Sequence, residues 1–454
     1  MLTFDVVVVG AGPGGEVAAG RLAQAGLEVA IVEADKVGGE CSYYACMPSK
    51  SLLRPGELLA QARRVPGVAE AVTGPLDRDA VLRRRDEIIA NLDDSGQLPW
   101  LEERGIKLFR GWGRLDGEKR VVVGDEILEA RRAVILAGGT TAALPGIDGL
   151  ADAKPWTNRE ATTARDLPGS LVIIGGGVVG TEMTQAYCTL GVRVTLLEGA
   201  HRLLPKEEEF ACVQVTEALA EQGVDIRTGQ SATAVRRSGD QVTVTLRDGS
   251  TVTADEVLIA AGRTPQTSGL GLDTVGVKAD RYVPVDESLR VPGLDWLFVV
   301  GDLNGRALFT HMAKYQAAIA AGAILGRDMV HTHLADGPGS PRVTFTEPQV
   351  AAVGHTTDSA AAAGLRVRVV DIGTEANAGG SFTGNPRGTA RFLVDEERDV
   401  LVGVTITGSE VADFLQAATI AIVGEVPIRR LRHAIPAYPT RSEIWLYLFN
   451  ELGI

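Results

Sequence analysis

The sequence contains two copies of a strand–glycine turn–helix–strand unit, and this duplication constrains the fold more than any other feature. The first copy begins with the apolar run Phe4 to Val9, followed directly by Gly10-Ala11-Gly12-Pro13-Gly14-Gly15. Residues 16–25 then have the composition of a helix, and a second strand over residues 27–32 ends at Glu33. In such a unit the glycines permit a tight turn, close approach of a phosphate and close helix–strand packing. The helix N-terminus offers free N–H groups to phosphates, and the acid accepts hydrogen bonds from a ribose.

The second copy lies in mid-chain. A strand is predicted over Ser170 to Ile174, and the turn Gly175-Gly176-Gly177-Val178-Val179-Gly180 follows it. A helix is predicted over residues 181–190 and a second strand over residues 192–197, with Glu198 at its end. Strand, glycines, helix, strand and acid therefore recur in the same order, which is far more specific than an isolated glycine triplet.

Two complete units predict two bound dinucleotides, for which a flavin and a nicotinamide are the economical pair. Glu198 suits the free 2′-hydroxyl of NAD and would repel the 2′-phosphate of NADP, so the sequence favours NADH. His201 and Arg202 follow closely, which leaves some use of NADPH open.

Two cysteines, Cys41 and Cys46, lie just after the first unit in the run GGECSYYACMPSK. A disulfide at this place is positioned to exchange electrons with a flavin bound to that unit. The thiolate is the reactive species, and we expect the pair to open a helix whose dipole lowers the thiol pKa. Only 4 cysteines occur in 454 residues, so the chain is not a disulfide scaffold. After the pair, residues 54–94 are predicted to form charged helices broken by Pro55, Pro66 and Pro75, with Arg83-Arg84-Arg85 on a solvated face.

With these features the chain resembles the pyridine nucleotide–disulfide oxidoreductases, the family of dihydrolipoamide dehydrogenase, glutathione reductase and mercuric reductase. The resemblance runs from about residue 4 to about residue 445. The further motifs that carry it are Gly38-Gly39, Pro48-Ser49-Lys50, Ala137-Gly138-Gly139-Thr140, Leu258 to Pro265, Phe298 to Asp302, Phe345 to Pro348 and Val353-Gly354. These motifs are specific for the family and say little about the substrate.

The resemblance implies an α/β fold with two Rossmann-like domains, for FAD and NAD(P), and an α+β C-terminal dimerisation domain. The expected boundaries are 1–152 with 266–336 for the FAD domain, 153–265 for the NAD(P) domain and 342–454 for the dimerisation domain. A homodimer is expected, because the C-terminal segment would complete the active site of the neighbouring subunit.

The resemblance also implies roles for individual residues. Cys46 would be the thiol next to the flavin and Cys41 the interchange thiol facing the substrate. Lys50 and Glu182 would form an ion pair beside the flavin, and Asp302 would bind its ribityl chain. The residues expected to bind the cofactors are Gly10, Gly12, Gly14, Gly15, Glu33, Gly39, Lys50, Ala137, Gly138, Gly175, Gly177, Gly180, Glu198, Gly262 and Asp302.

The C-terminal segment departs from the family. Disulfide reductases carry His-Pro-Thr-x-Ser-Glu there, whereas this chain has Tyr438-Pro439-Thr440-Arg441-Ser442-Glu443. Tyr438 and Glu443 are the expected site residues, but a phenol with a pKa near ~10 is a poor base at neutral pH. Whether Tyr438, His433 or water handles the proton stays open.

These observations predict an FAD-dependent NAD(P)H oxidoreductase that passes electrons to the Cys41–Cys46 disulfide and on to a small-molecule acceptor: a disulfide, a quinone or a metal ion. A flavin-direct quinone or dye reductase, a transhydrogenase and a non-catalytic redox sensor are the alternatives. No cysteine follows Cys212, so the second pair of mercuric reductases is missing. No bound metal is expected. The net charge of −13 disfavours nucleic acid and anionic membranes, and without an apolar run of ~20 residues or a basic leader the expected location is the cytoplasm.

Overall fold

The structure is a computed structural model and describes residues 1–327, 335–375, 377–384 and 387–454. The chain divides into two compact units. The first unit comprises Met1–Pro48, Asp86–Ala143 and Arg263–Thr332, and the second comprises Ser49–Arg85, Leu144–Gly262 and His333–Ile454. The three-domain boundaries expected from the sequence stay a prediction, and the segment 266–336 includes residues 328–334, which lie outside the described ranges.

The strands are given in chain order. Before residue 144 they are β1 (Leu2–Val9), β2 (Val29–Glu33), β3 (Lys107–Arg110), β4 (Gly113–Leu115), β5 (Arg120–Val123), β6 (Glu126–Leu136) and β7 (Thr140–Ala142). They continue with β8 (Ser170–Ile174), β9 (Arg193–Glu198), β10 (Asp225–Thr228), β11 (Ala232–Ser238), β12 (Gln241–Leu246), β13 (Thr251–Ala254) and β14 (Glu256–Ile259). The others are β15 (Arg263–Pro265), β16 (Leu297–Val299), β17 (Arg342–Thr344), β18 (Gln349–Gly354), β19 (Val367–Gly373), β20 (Thr389–Asp395) and β21 (Val400–Gly408).

The α-helices follow the same order. They are α1 (Pro13–Gln24), α2 (Gly39–Tyr43), α3 (Cys46–Arg64), α4 (Arg78–Ile88), α5 (Leu98–Glu102), α6 (Asn158–Thr163), α7 (Val178–Thr189), α8 (Glu209–Glu221), α9 (Thr310–Ile324), α10 (Thr357–Ala362), α11 (Ala378–Phe382), α12 (Leu415–Val423), α13 (Ile428–Leu431) and α14 (Ile444–Leu452). Within the described ranges every helix is too short or too polar to cross a bilayer.

The sheet of the first unit has the order β3-β2-β1-β6-β5-β4, with β16 pairing the end of β6. β1, β2, β3, β6 and β16 are parallel to one another, whereas β5 and β4 are added antiparallel. The second half of β1 is a run of valines that are almost fully buried: Val6 and Val8 pack against α1 and α9, whereas Val7 and Val9 pack in a second core on the opposite face. This burial explains why the strand reads as a continuous apolar run rather than an alternating one.

The second unit contains separate sheets. A parallel sheet of order β10-β9-β8-β14 holds the second glycine turn, and the antiparallel sheet β11-β12-β13 is inserted in sequence between β10 and β14. The C-terminal segment forms an antiparallel sheet of order β17-β18-β21-β20-β19, which packs against α12 and α14. The predicted α/β class, with two nucleotide-binding sheets and an α+β C-terminal part, is confirmed.

One sequence expectation was wrong: Pro55 does not break the helix that follows the cysteines but lies inside α3. A proline removes the N–H that would bond the carbonyl four residues earlier, here that of Ser51. The guanidinium of Arg84 lies 3.4 Å from this Ser51 oxygen and 3.2 Å from the Ser51 hydroxyl. The missing helical hydrogen bond is thereby replaced by a donor from α4.

The sequence predicted that Arg83-Arg84-Arg85 forms a solvated face, and this is correct for only two of the three arginines. Arg83 and Arg84 are exposed, but Arg85 is fully buried. Its guanidinium donates to the carbonyl oxygens of Thr162, at 2.5 Å, and Ala164, at 2.7 Å, at the end of α6. These carbonyls end a helix and lack intrahelical donors, so a buried arginine satisfies them.

Candidate active site

The first glycine turn admits only glycine at two of its positions. Gly10 has φ +105°, and a side chain there would overlap the carbonyl oxygen of Ala137. A side chain on Gly15 would overlap the carbonyl oxygen of Gly10, because α1 crosses the end of β1 at this point. The predicted cofactor residues Gly10, Gly15 and Ala137 therefore lie together.

The start of α1 has the features of a phosphate site. Gly12 precedes the helix without a side-chain cap, and the N–H of Glu16 is the first to bond back into the turn, to the Gly12 oxygen at 2.9 Å. The N–H groups of Gly14 and Gly15 are left for a ligand. A side chain on Gly12 would meet nothing closer than the Cα of Gly39, at 4.0 Å, and one on Gly138 would meet nothing within 4 Å.

Glu33 holds the turn in place from the end of β2. Its Oε2 accepts a hydrogen bond from the Ala11 N–H at 2.7 Å, and its Oε1 accepts one from Asp35 at 2.8 Å. Burial raises the pKa of this carboxyl group. Each oxygen keeps a second lone pair, so Glu33 can also accept hydrogen bonds from ribose hydroxyls.

The second turn repeats this geometry. Gly175 has φ +114° and lies against the backbone of Ala260, while a side chain on Gly180 would overlap the Gly175 oxygen. A side chain on Gly177 would meet nothing within 4 Å, nor would one on Gly262, which has φ +118°. Glu198 accepts from the N–H groups of Gly176 at 2.6 Å and of Ala200 at 2.7 Å. Gly175, Gly180 and Glu198 therefore shape one turn after β8, and the binding of a nicotinamide nucleotide by these residues stays a prediction.

The two cysteines are free thiols on separate helices. Cys41 lies within the short helix α2, and Cys46 is the first residue of α3. The Sγ of Cys46 is 3.4 Å from the hydroxyl oxygen of Thr310, at the start of α9. The hydrogen bond with Cys46, and burial, raise the pKa of Cys41. The expected lowering of the thiol pKa was therefore wrong for Cys41, because only Cys46 stands at the N-terminus of the longer helix.

A chain of hydrogen bonds that the sequence did not predict connects α2 to Asp302. Glu40, the residue before Cys41, pairs with Arg263 at 2.7 Å. Arg263 donates from Nε to the Thr140 hydroxyl at 2.9 Å, and this hydroxyl donates to Asp302 at 2.6 Å. Burial raises the pKa of Asp302. Glu40, a charged residue between Gly39 and Cys41, was the signal that the sequence offered for this chain of hydrogen bonds. Its partner Arg263 could not be identified because it is 223 residues away.

Lys50 and Glu182 form the predicted ion pair, with Nζ and Oε2 2.7 Å apart. The Glu182 side chain is 3% exposed, and its other oxygen accepts the Phe345 N–H at 2.9 Å. The ammonium group of Lys50 also lies 4.8 Å from the centre of the Phe345 ring. Phe345 is thus a further member of this site: it fixes Glu182 through its backbone and Lys50 through its ring.

The predicted C-terminal residues differ in their surroundings. Tyr438 is 79% exposed and His433 is also exposed, whereas Glu443 is 9% exposed. Among the described residues nothing hydrogen-bonds the buried Oε2 of Glu443. Arg441 is buried, donates to the Ser409 carbonyl and has its pKa lowered by this burial. Their participation in the reaction stays a prediction.

The sequence matches the family described as pyridine nucleotide-disulphide oxidoreductase over residues 4–322. The dimerisation domain of the same family matches residues 340–448. The chain belongs to this family. It is an FAD-dependent pyridine nucleotide–disulfide oxidoreductase, and the dimerisation domain supports a homodimer. The predictions of family, enzyme class and cofactors, FAD and NAD(P)H, are confirmed.

Individual relatives agree with this assignment. The dihydrolipoyl dehydrogenase of Mycobacterium bovis is 33% identical over 463 residues, covering 100% of this chain and 98% of that protein. The dihydrolipoyl dehydrogenase of Zymomonas mobilis is 32% identical, covering 97% and 96%. The solved structure of LpdA from Mycobacterium tuberculosis has a TM-score of 0.86 at 25% identity and covers 97% of each chain. The HOCl-induced flavoprotein disulfide reductase RclA from Escherichia coli, with a TM-score of 0.87 at 24% identity, covers 98% of this chain and 99% of that one and shares the fold.

The residues of the first unit fit FAD. The start of α1 has free N–H groups and open space at Gly12, and Glu33 presents a carboxylate to a ribose. Asp302 is a further buried acceptor in the same unit. Within the described ranges no group of three or more histidine, cysteine or acidic side chains gathers as a metal site.

Proposed function

We propose that this enzyme uses the Cys41–Cys46 pair to pass electrons from NADH to a small-molecule acceptor, in the first instance a disulfide. The observation that carries the proposal is the thiol pair itself, in which Cys46 opens α3 and contacts Thr310 at 3.4 Å. A helix N-terminus favours a thiolate, and a thiolate is the species that exchanges disulfides.

The residues around the pair have distinct proposed roles. The chemistry that FAD supplies when bound is transfer of an electron pair from a nicotinamide to a disulfide. Cys46 is the thiol on the FAD side and Cys41 attacks the substrate disulfide, so that a new sulfur–sulfur bond forms and a substrate thiolate leaves. Lys50, held by Glu182 and Phe345, supplies a fixed positive charge beside the FAD ring. Asp302 holds the FAD through its ribityl hydroxyl groups.

NADH is the proposed electron donor. The Gly176 N–H of the second glycine turn donates to one oxygen of Glu198 and the Ala200 N–H donates to the other, so its charge is fixed where the 2′-position of the adenosine ribose would lie. A hydroxyl group can donate to this carboxylate, whereas the phosphate of NADPH would face a like charge.

The predicted cytoplasmic location belongs to the same proposal, because a pair that cycles through free thiols suits a reducing compartment.

The proposal for the acceptor rests on the absence of the family's C-terminal histidine. With Tyr438 at the histidine position, the acceptor is one whose reduction does not demand a histidine acid–base. Dihydrolipoyl dehydrogenases are relatives, so lipoamide is the first disulfide to test. The RclA structures include a Cu(II) complex, which makes Cu(II) the first metal ion to test. The second candidate function is direct reduction of a quinone or of a second nicotinamide nucleotide, and Tyr438 favours it because neither reaction needs a histidine.

The test is the Cys41→Ser, Cys46→Ser double variant, with Cys188→Ser as the matched control. Steady-state NADH oxidation is measured with lipoamide, glutathione disulfide, Cu(II), menadione and a nicotinamide analogue. We expect the double variant to lose disulfide reduction while it keeps menadione reduction, and the control to keep both. Equal rates for the double variant and the wild type on every acceptor would refute the disulfide route and support the second candidate.

A further inference from the structure

Tyr438 stands where the family carries its histidine, so any charged partner of the interchange thiol has to come from another part of the chain. The groups that act on the ionisation of Cys41 include Cys46, the Thr310 hydroxyl and, by its charge alone, the ammonium group of Lys314. The preceding carboxylate, Glu40, is already paired with Arg263 at 2.7 Å. Cys46 raises the Cys41 pKa, whereas Thr310 and Lys314 both lower it. The positive charge near this thiol therefore comes from α9.

The geometry of α9 explains why Lys314 reaches this position. Thr310 begins the helix with its hydroxyl oxygen 3.4 Å from the Cys46 sulfur. Lys314 follows four residues later, and side chains at this spacing lie on the same helical face, one turn apart. Lys314 is exposed, so its ammonium group keeps contact with water while facing the same side as Thr310.

A carboxyl group on the neighbouring helix α1 is influenced by the charge of the same lysine. The two helices pack closely, since a side chain on Gly14 would lie 3.4 Å from the Cβ of Ala313, the residue before Lys314. Glu16 follows two residues after Gly14 in the first turn of α1. Burial raises the pKa of Glu16 to about 7, and Lys314 opposes that shift. Lys314 thus interacts with both Glu16 and Cys41.

We propose that Lys314 is the charge partner of the Cys41 thiolate in this enzyme, and that Glu16 tunes it by competing for the same ammonium group. This inference rests on the proposed role of Cys41 as the interchange thiol. NADH and one proton reduce the Cys41–Cys46 disulfide to two thiols and give NAD⁺. The proton of Cys41 then leaves to water, and the protonated lysine stabilises the sulfur anion that attacks the acceptor.

The test measures ionisation of the thiol rather than turnover. The experiment uses the FAD-loaded enzyme with Cys46→Ser, which removes the coupling between the two thiols. Iodoacetamide alkylates Cys41, and mass spectrometry measures the rate of this reaction at a series of pH values. We expect Lys314→Met to raise the apparent thiol pKa by about one unit, a tenfold loss of thiolate below that pKa. Lys314→Arg should keep the wild-type value, and so should Lys278→Met at an exposed site of the same unit.

Glu16→Gln sharpens the test, because it should move the Cys41 pKa in the opposite direction, downward, by removing a competing negative charge. An unchanged pKa in Lys314→Met, or a shift of the same sign in Glu16→Gln, would overturn the proposal. FAD content and a thermal melt identify any variant that fails to fold, and Lys314→Arg then supplies the retained-charge comparison.

The failure of this proposal is distinct from the failure of the proposed function. If NADH leaves the wild-type disulfide oxidised, the electron route is wrong whatever the alkylation profiles show. If NADH opens the disulfide and Lys314→Met has a normal profile, only the role of Lys314 is wrong.

Discussion

The two glycine turns have the same backbone geometry but carry carboxylates in different surroundings. In both, one glycine has positive φ and another lies against a carbonyl oxygen, and an acid at the end of the next strand holds the loop. In the second turn, the carboxylate of Glu182 on α7 has a lysine 2.7 Å away. In the first turn, burial raises the pKa of Glu16 on α1 to about 7. The shared backbone binds nucleotides, while the side chains that follow it set the local charge.

The largest effects are expected from substitutions that disrupt the first or the second glycine turn separately. Gly15→Ala and Gly180→Ala each place a methyl group onto a backbone oxygen that cannot move without moving a buried strand. We expect each to cost more than about 3 kcal/mol, as overpacking of a rigid site does. Gly15→Ala should abolish FAD retention, measured by absorbance, and Gly180→Ala should abolish nicotinamide binding, measured by calorimetry.

The controls for this pair are Gly96→Ala and Gly146→Ala, where an added methyl group meets nothing within 4 Å and φ is not positive. Both controls should retain FAD and nicotinamide binding. A Gly15→Ala enzyme that purifies with a full complement of FAD would contradict the geometry of the first turn.

A smaller loss of stability is expected when Glu182, on the helix after the second turn, loses its lysine. Lys50→Met leaves Glu182 buried without its cation, and we expect a fall in unfolding free energy of about 2–3 kcal/mol by urea denaturation, since the lysine is partly exposed. Lys206→Met, at an exposed site of the same unit, should change the unfolding free energy by less than about 0.5 kcal/mol. Equal effects of the two changes would mean that the Lys50–Glu182 pair contributes nothing to stability.

The carboxylate of the first turn predicts a dependence on pH. A carboxyl group with a raised pKa binds its proton more tightly in the folded state, so its contribution to stability is present below about pH 4.5 and is lost as the pH rises to about 7. In Glu16→Gln this loss should disappear, so the difference in unfolding free energy between pH 5 and pH 7.5 should change by on the order of 2 kcal/mol. Thermal melts at pH 5 and pH 7.5 measure it.

The control is Glu103→Gln, at a side chain that is 74% exposed. It should leave the pH dependence as in the wild type. If Glu16→Gln also leaves it unchanged, the carboxyl group titrates normally and the contrast between the two turns disappears.

The smallest predicted effect concerns the acids at the strand ends. Glu198→Gln removes the charge opposite the 2′-position, and we expect the ratio of kcat/KM for NADPH over NADH to rise about tenfold, or ~1.4 kcal/mol. The matched change Glu33→Gln should weaken FAD binding and leave that ratio as it was. A rise of the ratio in both variants would show that the two acids do not discriminate between the nucleotides.

Local sequence patterns predicted the two turns well, because their chemistry lies within about 25 consecutive residues. Glu33 and Glu198 lie at the ends of β2 and β9 as the sequence predicted, whereas their contacts with nucleotides and the redox role of Cys41 and Cys46 stay predictions. Contacts between residues that are far apart in the sequence could not be predicted from local patterns. Arg263 is 223 residues from Glu40, and Thr310, whose hydroxyl oxygen lies 3.4 Å from the Cys46 sulfur, is 264 residues from that cysteine.

Two errors have the same physical origin. Pro55 is normally a helix breaker, and only the tertiary contact of Arg84 with Ser51 explains its place within α3. The arginine run looked solvated because charge is normally exposed, yet Arg85 is needed inside to bond the end of α6. In both cases a long-range side chain satisfies a backbone group that local rules leave unpaired.

The most direct test of the electron route is to count the thiols that NADH exposes. The FAD-loaded enzyme is first blocked with unlabelled iodoacetamide, then given one equivalent of NADH without oxygen and alkylated with the isotopically labelled reagent. We expect new label on Cys41 and Cys46, with more on Cys41 because it is the thiol on the substrate side, and with Cys188 and Cys212 unchanged as internal references. Consumption of NADH with no new label on Cys41 and Cys46 would contradict the electron route.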